Sequence, residues 1–413
     1  MPSRKKNLHK SLTRLKTEVK DGCVYISCFL GTRILSSNAD AGRGPEPVIQ
    51  VYRKPADGFE FGVDYMEFFN GMNLRGARKI HDGPALVVRG RKLVCKDSDV
   101  EYGHTYAYWV RWPEDDAAVG PSGVRVRDPE VWWPFSRVDA KLTELARDFP
   151  DIVTLEQYGD TVQHRRLRGI RAGNRDISIA LTGAIHAGEA GPELILPVIE
   201  RILKQKPELL KRTGIAALPS VNADERERLV NGHPAYLRKN SNGVDLNRNF
   251  DSMWHEINTM YGQSTDDPES MTFRGPAPES ELETQAVTAF MRAVKPAAVF
   301  TYHHLAGATY DGLLGPKRAA HDARFAQKCA RFARPFVEGF GLRDAAGINY
   351  AASTGSFPSW AWTEFGVPCF DVERGPCPDA DESARDRTTP EIIERCREYH
   401  FHAVVNVMEE VTG

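Results

Sequence analysis

The sequence predicts two domains: an N-terminal all-β sandwich, then an α/β domain whose mixed, mostly parallel central sheet is flanked by helices. Two observations support this division. Residues from about Cys23 to Asp128 form short runs rich in β-branched and aromatic residues, separated by turn residues. From Val138 onward, apolar runs of strand length alternate with stretches of helical periodicity. We therefore expect a basic, flexible leader over 1–20, the β-sandwich over 21–130 and the α/β domain over 131–413.

The first region contains four segments with the composition of strands: Val24–Leu30, Val48–Arg53, Ala85–Val88 and Tyr106–Trp112. Its last part, Val100–Val126, has a tyrosine-bearing strand, a Gly-Pro-Ser bend and a final strand. This segment resembles the last hairpin of a fibronectin type III module. The resemblance implies an accessory domain through which the protein could bind a protein partner.

In the second region, the largely apolar run Ile177–Ile185 is typical of a strand buried on both faces of a parallel sheet. Further strands are predicted at Ile215–Val221 and Ala297–Tyr302. Helices are predicted at Val138–Asp148, Pro192–Leu203 and Glu281–Val294.

The composition argues against several function classes. A formal net charge of -2 does not suit a nucleic-acid binder that neutralises many phosphates. No uninterrupted apolar run approaches the roughly 20 residues that cross a bilayer, and the basic N-terminus lacks the apolar segment of a secretory signal. The 7 cysteines are odd in number and form no Cys-x-x-Cys pair. We therefore expect free thiols and a cytoplasmic protein.

The segment IHAGEAGPEL places His186 and Glu189 where a predicted buried strand gives way to a helix. Loops at the carboxyl ends of such strands line the active-site crevice of open α/β sheets. Imidazole and carboxylate three residues apart can converge on one ion, and zinc accepts this ligand set. Alone, the pair is a weak signal and is better explained by a histidine beside a glutamate that the helix dipole favours.

The strand Ala297–Tyr302 is followed by two candidates for a third ligand, His303 and His304. The order His-x-x-Glu and then a distant histidine resembles the carboxypeptidase A-like zinc metallocarboxypeptidases. That resemblance implies one zinc ion bound by His186, Glu189 and His303. His304 is the alternative third ligand.

Other segments resemble motifs of the same family in the same order along the chain, from about Phe135 to the carboxyl terminus. The most specific is YLRKNSNGVDLNRNF. The complete set is Pro219–Glu225, Tyr236–Phe250, Phe273–Thr284, Asn349–Trp362 and Cys369–Gly375.

The resemblance implies a role for each matched residue. Glu373 is the expected general base and acid, acting on a water at the zinc, and Arg238 is expected to stabilise the oxyanion. Asn247 and Arg248 are expected to bind the terminal carboxylate of the substrate, since a guanidinium matches that group. Tyr350 is expected to close over the bound substrate.

These roles imply a metallocarboxypeptidase that hydrolyses the C-terminal amide bond of a peptide with a free carboxylate. Gly188 stands where many relatives have arginine. Pro358 or Ser359 occupies the position that lines the side-chain pocket, so a preference for terminal lysine or arginine is not supported. Two alternatives remain: an amidase acting on a cell-wall peptide or a modified metabolite, and a non-catalytic peptide-binding protein.

Overall fold

The computed structural model describes residues 11–31, 47–59, 64–88, 92–173, 176–256, 264–303, 313–340, 348–373 and 388–412. The chain forms two compact units. One comprises Met1–Pro129 and Val230–Ala235, and the other Glu130–Leu229 and Tyr236–Gly413.

The first unit contains two four-stranded antiparallel sheets, in the orders β1-β2-β6-β5 and β4-β3-β7-β8. Inward-facing residues of both sheets, such as Ile26, Val51 and Val110, belong to one buried cluster. A short helix, α1 (Tyr65–Gly71), begins at Asp64, whose side chain accepts a hydrogen bond from the backbone N–H of Glu67. The fibronectin type III likeness stays a prediction. The strands are β1 (Leu12–Lys20), β2 (Cys23–Leu30), β3 (Val48–Pro55), β4 (Arg78–Pro84), β5 (Leu86–Val88), β6 (Lys92–Asp97), β7 (Thr105–Arg111) and β8 (Val119–Arg125).

The expectation of a flexible leader over 1–20 is wrong for its second half. Leu12–Lys20 forms β1, which pairs antiparallel with β2 from Leu12 to Lys20. Leu12 and Val19 are buried there, so the apolar residues among the basic ones belong to the core of the unit. Residues 1–10 lie outside the described part of the chain.

The predicted boundary also missed one segment. Val230–Ala235, which we placed in the α/β domain, belongs to the first unit. The carbonyl of Asn231 accepts a hydrogen bond from Val19 N (2.8 Å), and that of Gly232 accepts one from Arg125 N (2.9 Å). Such pairing of separate chain segments leaves no local signature in the sequence.

The second unit is built on an eight-stranded mixed sheet in the order β15-β14-β16-β13-β11-β12-β10-β9. Its centre is parallel, since β16, β13, β11 and β12 run in the same direction. Strand β10 pairs antiparallel with β12, and β9 pairs antiparallel with β10. The strands are β9 (Val153–Asp160), β10 (Arg166–Gly173), β11 (Ile177–Gly183), β12 (Gly214–Leu218), β13 (Ala298–Tyr302), β14 (Leu313–Pro316), β15 (Asn349–Ala352) and β16 (Cys369–Val372).

Helices cover both faces of this sheet, as residues of β13 show. Val299 belongs to the core cluster that includes Phe290 and Trp360. Phe300, which points to the opposite face, stacks on Phe336 with ring centroids 4.0 Å apart. The helices are α2 (Phe135–Asp148), α3 (Pro192–Gln205), α4 (Pro207–Arg212), α5 (Ala223–Val230), α6 (Leu282–Val294), α7 (Ala323–Gly339), α8 (Phe357–Phe365) and α9 (Pro390–Thr412), with 3-10 turns at Leu246–Arg248 and Lys317–His321.

Two further properties follow from the described residues. None of their helices combines the length and apolar character that a membrane span requires. Their six cysteines are free thiols, and Cys377 lies outside the described part of the chain.

We predict that Phe300→Ala lowers the free energy of unfolding by about 3–5 kcal/mol, because it leaves a cavity against Phe336 between the sheet and α7. Denaturant unfolding provides the measurement. Met271, which is half exposed in the same unit, supplies the control, since Met271→Ala should change stability by less than about 0.5 kcal/mol. Equal midpoints for the two variants would contradict the packing described here.

Candidate active site

The predicted metal ligands follow two neighbouring parallel strands of the central sheet. His186 and Glu189 lie in the turn between β11 and α3, and His303 directly follows β13. Strands β11 and β13 pair in parallel, with Gly183 opposite Tyr302. Both strands therefore end at the same edge of the sheet, which brings residues more than a hundred positions apart into contact.

The three side chains point at one another. The Nδ1 atoms of His186 and His303 both lie 2.8 Å from Oε2 of Glu189. One donor atom from each residue falls within 4.8 Å of the others. All three residues are buried, with at most 5% of their surface exposed. The alternative ligand, His304, lies outside the described residues.

Two aspartates lie behind the imidazoles. Asp245 Oδ1 is 3.0 Å from Nε2 of His186, and Asp371 Oδ1 is 3.2 Å from Nε2 of His303. The contact at His186 is a hydrogen bond, and a carboxylate bonded to one ring nitrogen leaves the other nitrogen free to bind a metal. Our sequence reasoning missed both aspartates, although each lies inside a motif that it used, VDLNRNF and CFDVERG.

The donor set fits zinc. Two imidazole nitrogens and one carboxylate oxygen are the protein ligands of many catalytic zinc sites. Burial alone would raise the pKa of Glu189, but the two histidines lower it well below its ordinary value. The carboxylate is therefore ionised and available as a ligand.

Glu373 reaches the same place from a third strand. It follows β16, which pairs in parallel with β13, and its Oε1 lies 4.0 Å from Nδ1 of His303. Burial is the main cause that raises the pKa of Glu373, and the charge of Glu189 adds to the rise while His303 opposes it. A carboxylate whose pKa is raised accepts a proton more readily than one in water.

Asp245 also contacts Arg238, the arginine that we expect to stabilise the oxyanion. Arg238 donates to Oδ2 of Asp245 from Nε (2.9 Å) and lies 2.8 Å away through Nη2. Although burial opposes it, the charges of Arg238, Arg248 and His186 lower the pKa of Asp245 far below its ordinary value. One carboxylate thus holds both a ligand and a guanidinium.

The two predicted carboxylate-binding residues differ in their surroundings. Asn247 is 2% exposed; its Nδ2 donates to Asp371 (3.1 Å), and its Oδ1 accepts from Phe357 N (2.9 Å). It therefore connects the 3-10 turn, β16 and α8. Arg248 is 8% exposed, and its Nη1 donates to the carbonyl of Asn247 at 2.6 Å.

Tyr350, which we expected to close over the substrate, contacts residues away from the predicted metal ligands. It belongs to β15 at the edge of the sheet. Its ring lies close to Gly315, and burial together with the neighbouring Cys329 thiol raises the pKa of its phenol. The predicted contact with substrate stays a prediction.

Comparison with known proteins agrees with this geometry. The profile of the zinc carboxypeptidase family matches residues 138–379. The chain belongs to this family. Solved structures show the same fold: carboxypeptidase A from Helicoverpa armigera superimposes with a TM-score of 0.55 over 90% of this chain and 99% of that one, at 15% identity. Bovine thrombin-activatable fibrinolysis inhibitor gives 0.56 over 68% and 98%, at 18% identity.

Two curated relatives share sequence with part of this carboxypeptidase-family chain. Mast cell carboxypeptidase A of Rattus norvegicus is 31% identical over 170 residues, or 36% of this chain and 39% of that protein. Murein peptide amidase A of Escherichia coli (strain K12) is 30% identical over 151 residues, or 36% and 55%. The chain thus spans well under two thirds of the length of either relative.

A buried ion pair holds the turn of this family member that carries the predicted ligands His186 and Glu189. Nη1 of Arg226 donates to the carbonyls of Ala187 (2.9 Å) and Glu189 (2.7 Å). Its Nη2 donates to Glu193 at 2.8 Å, and its guanidinium lies over the ring of Trp132 at 4.6 Å. The turn that carries the two predicted ligands is therefore held to α3 and α5.

We predict that Glu193→Gln or Arg226→Met destabilises the protein by about 3–5 kcal/mol, because each leaves an uncompensated charge in the interior. The double variant should lose less than the sum of the two. Denaturant unfolding measures all three. Glu208→Gln, which removes the exposed Lys211 pair, is the matched control, and a loss as small as in that variant would refute the supporting role.

Proposed function

We propose that the chain is a zinc-dependent peptidase that hydrolyses the amide bond at the carboxyl terminus of a peptide. The observation that carries this proposal is the convergence of two histidine Nδ1 atoms on Oε2 of Glu189, with Glu373 4.0 Å from one of them. A zinc ion at His186, Glu189 and His303 would polarise the scissile carbonyl and lower the pKa of water.

The remaining chemistry is assigned to groups of the chain itself. Glu373 accepts a proton from the attacking water at its carboxylate and donates it to the leaving amine. Arg238, held by Asp245, directs positive charge at the oxygen that becomes negative. Arg248 binds the terminal carboxylate of the peptide, and nearly complete burial strengthens that charge-assisted contact.

We propose that Asn247 and Tyr350 also bind the substrate. Asn247 donates to Asp371 from Nδ2 and accepts from Phe357 N, and the second hydrogen of the same amide nitrogen is the one proposed to contact the substrate. Burial and the neighbouring Cys329 thiol raise the pKa of the Tyr350 phenol, so this group keeps the proton that it would donate to the substrate.

The first test uses Glu373→Gln with zinc present and then chelated. We expect peptide hydrolysis to fall by about 10²- to 10⁴-fold, because the proton acceptor is lost. Zinc content, measured by metal analysis, should stay at that of the parent, since the three proposed ligands remain. A parent protein that holds no zinc and cleaves no peptide would favour the non-catalytic peptide-binding alternative. A variant that cleaves at the parent rate would refute the role of Glu373 as the proton acceptor.

The second test concerns the free carboxylate of the substrate. The parent should prefer peptides with a free C-terminus over the same peptides as carboxamides. Arg248→Gln should reduce this preference about 10- to 100-fold, since a hydrogen bond to a charged group contributes about 1.5–3 kcal/mol. Arg147→Gln, at an exposed arginine of the same unit, is the control. An unchanged preference in Arg248→Gln would show that another group binds the carboxylate.

A second candidate function is an amidase acting on a cell-wall peptide. It is favoured by the 30% identity to murein peptide amidase A, and it uses the same proposed residues. A digest of a peptide library, extended by peptides with D-residues and γ-linkages and followed by mass spectrometry, separates the two. Cleavage confined to the γ-linked or D-residue peptides would replace the carboxypeptidase proposal.

A further inference from the structure

One glycine and one tyrosine beside the metal ligands fit together closely. Gly188 lies between His186 and Glu189 in the turn after β11. A Cβ at this position would lie 2.4 Å from Cδ2 and 2.8 Å from Cε2 of Tyr236, distances that no side chain tolerates. The aromatic ring thus occupies the volume into which any other residue at 188 would project. Gly188 N also donates to the carbonyl of Leu237 at 3.2 Å.

The phenol of the same tyrosine reaches a metal ligand. Tyr236 OH donates to Oε1 of Glu189 at 2.5 Å. The other oxygen of this carboxylate, Oε2, lies 2.8 Å from each histidine Nδ1. The two oxygens are therefore divided between two tasks: one accepts from the phenol, and the other faces the histidines.

This division has a physical consequence for the ligand. The terminal torsion of a glutamate is broad, so a carboxylate without a partner samples many orientations. A hydrogen bond to one oxygen fixes the plane of the carboxylate before an ion arrives, which removes part of the ordering cost from the binding step. Groups that act in this way on metal ligands change metal affinity, typically by about 10- to 100-fold.

The chain segment that begins at Tyr236 supports two ligands at once. Tyr236 holds Glu189, and two residues later Arg238 holds Asp245, which in turn contacts His186. The backbone hydrogen bond from Gly188 N to the carbonyl of Leu237 lies between these two contacts. The turn that carries the ligands and the segment 236–238 therefore form one interlocked unit.

We propose that Tyr236 is a positioning residue for the metal ligand Glu189, and that Gly188 provides the space in which its ring lies. The inference rests on the metal site of the proposed function and adds a residue outside the three ligands and Glu373. A larger residue at 188 and the phenol of Tyr236 are mutually exclusive in this arrangement.

The test is zinc affinity of the full-length chain, measured by competition with a chromogenic chelator after the metal has been removed. Tyr236→Phe keeps the ring and deletes the donor, and we expect it to bind zinc about 10- to 100-fold more weakly than the parent. Tyr158→Phe is the matched control, because that phenol donates to Glu156 at 2.8 Å on the edge strand β9. Its zinc affinity and its melting temperature should equal those of the parent.

Further variants separate positioning from packing. Tyr236→Leu removes both the ring and the donor. If Tyr236→Leu bound zinc more weakly while Tyr236→Phe bound it as tightly as the parent, the ring alone would matter and the inference would be overturned. Gly188→Ala should weaken zinc binding by displacing the ring, and the double variant Gly188→Ala/Tyr236→Phe should lose less than the two single losses combined. Full additivity would contradict the proposed pairing.

The outcomes also distinguish this inference from the proposed function. A parent that binds no zinc overturns both. A parent that binds zinc while Tyr236→Phe binds it equally tightly overturns only the role of Tyr236. A melting temperature of metal-free Tyr236→Phe equal to that of the metal-free parent, together with weaker zinc binding, supports positioning of the ligand.

Discussion

The pairing of a buried carboxylate with the far nitrogen of an imidazole is the interaction on which this site depends. Asp245 is completely buried, and an isolated charge at such a place would be strongly unfavourable. It is tolerated because His186 and Arg238 contact its two oxygens. The same contacts fix the orientation of the His186 imidazole. The hydrogen bonds that stabilise the buried Asp245 therefore also orient the predicted metal ligand.

The sheet supplies the second constraint. His186, His303 and Glu373 follow β11, β13 and β16, three consecutive parallel neighbours. Because parallel strands end at one edge, residues scattered over nearly two hundred positions converge there. Helices pack on both faces of the sheet, and the Glu193–Arg226 pair connects α3 and α5 beside the turn that carries His186 and Glu189.

The sequence was informative where chemistry and local pattern coincide. Apolar runs predicted β11 and β13 to within a few residues, and the chemistry of His186 and Glu189 indicated a metal. It was uninformative where a partner comes from a distant segment. Asp371 lies beside His303 only because their strands pair. The 230–235 segment contacts β1 and β8 only in the folded chain. The sequence around Tyr236 does not show that its ring packs against Gly188. We missed the strand at 12–20 because its basic residues indicated a solvent-exposed leader, although apolar residues occur among them.

The charges of the described site residues give an argument for a divalent cation that is independent of any relative. Four carboxylates lie around the imidazoles of His186 and His303, namely Glu189, Asp245, Asp371 and Glu373. Burial alone would lower the pKa of His303, yet Asp371, Glu189 and Glu373 raise it well above its ordinary value. The field that attracts a proton to His303 is the field that a divalent ion at the three ligands would neutralise, so proton and metal compete for the same nitrogen.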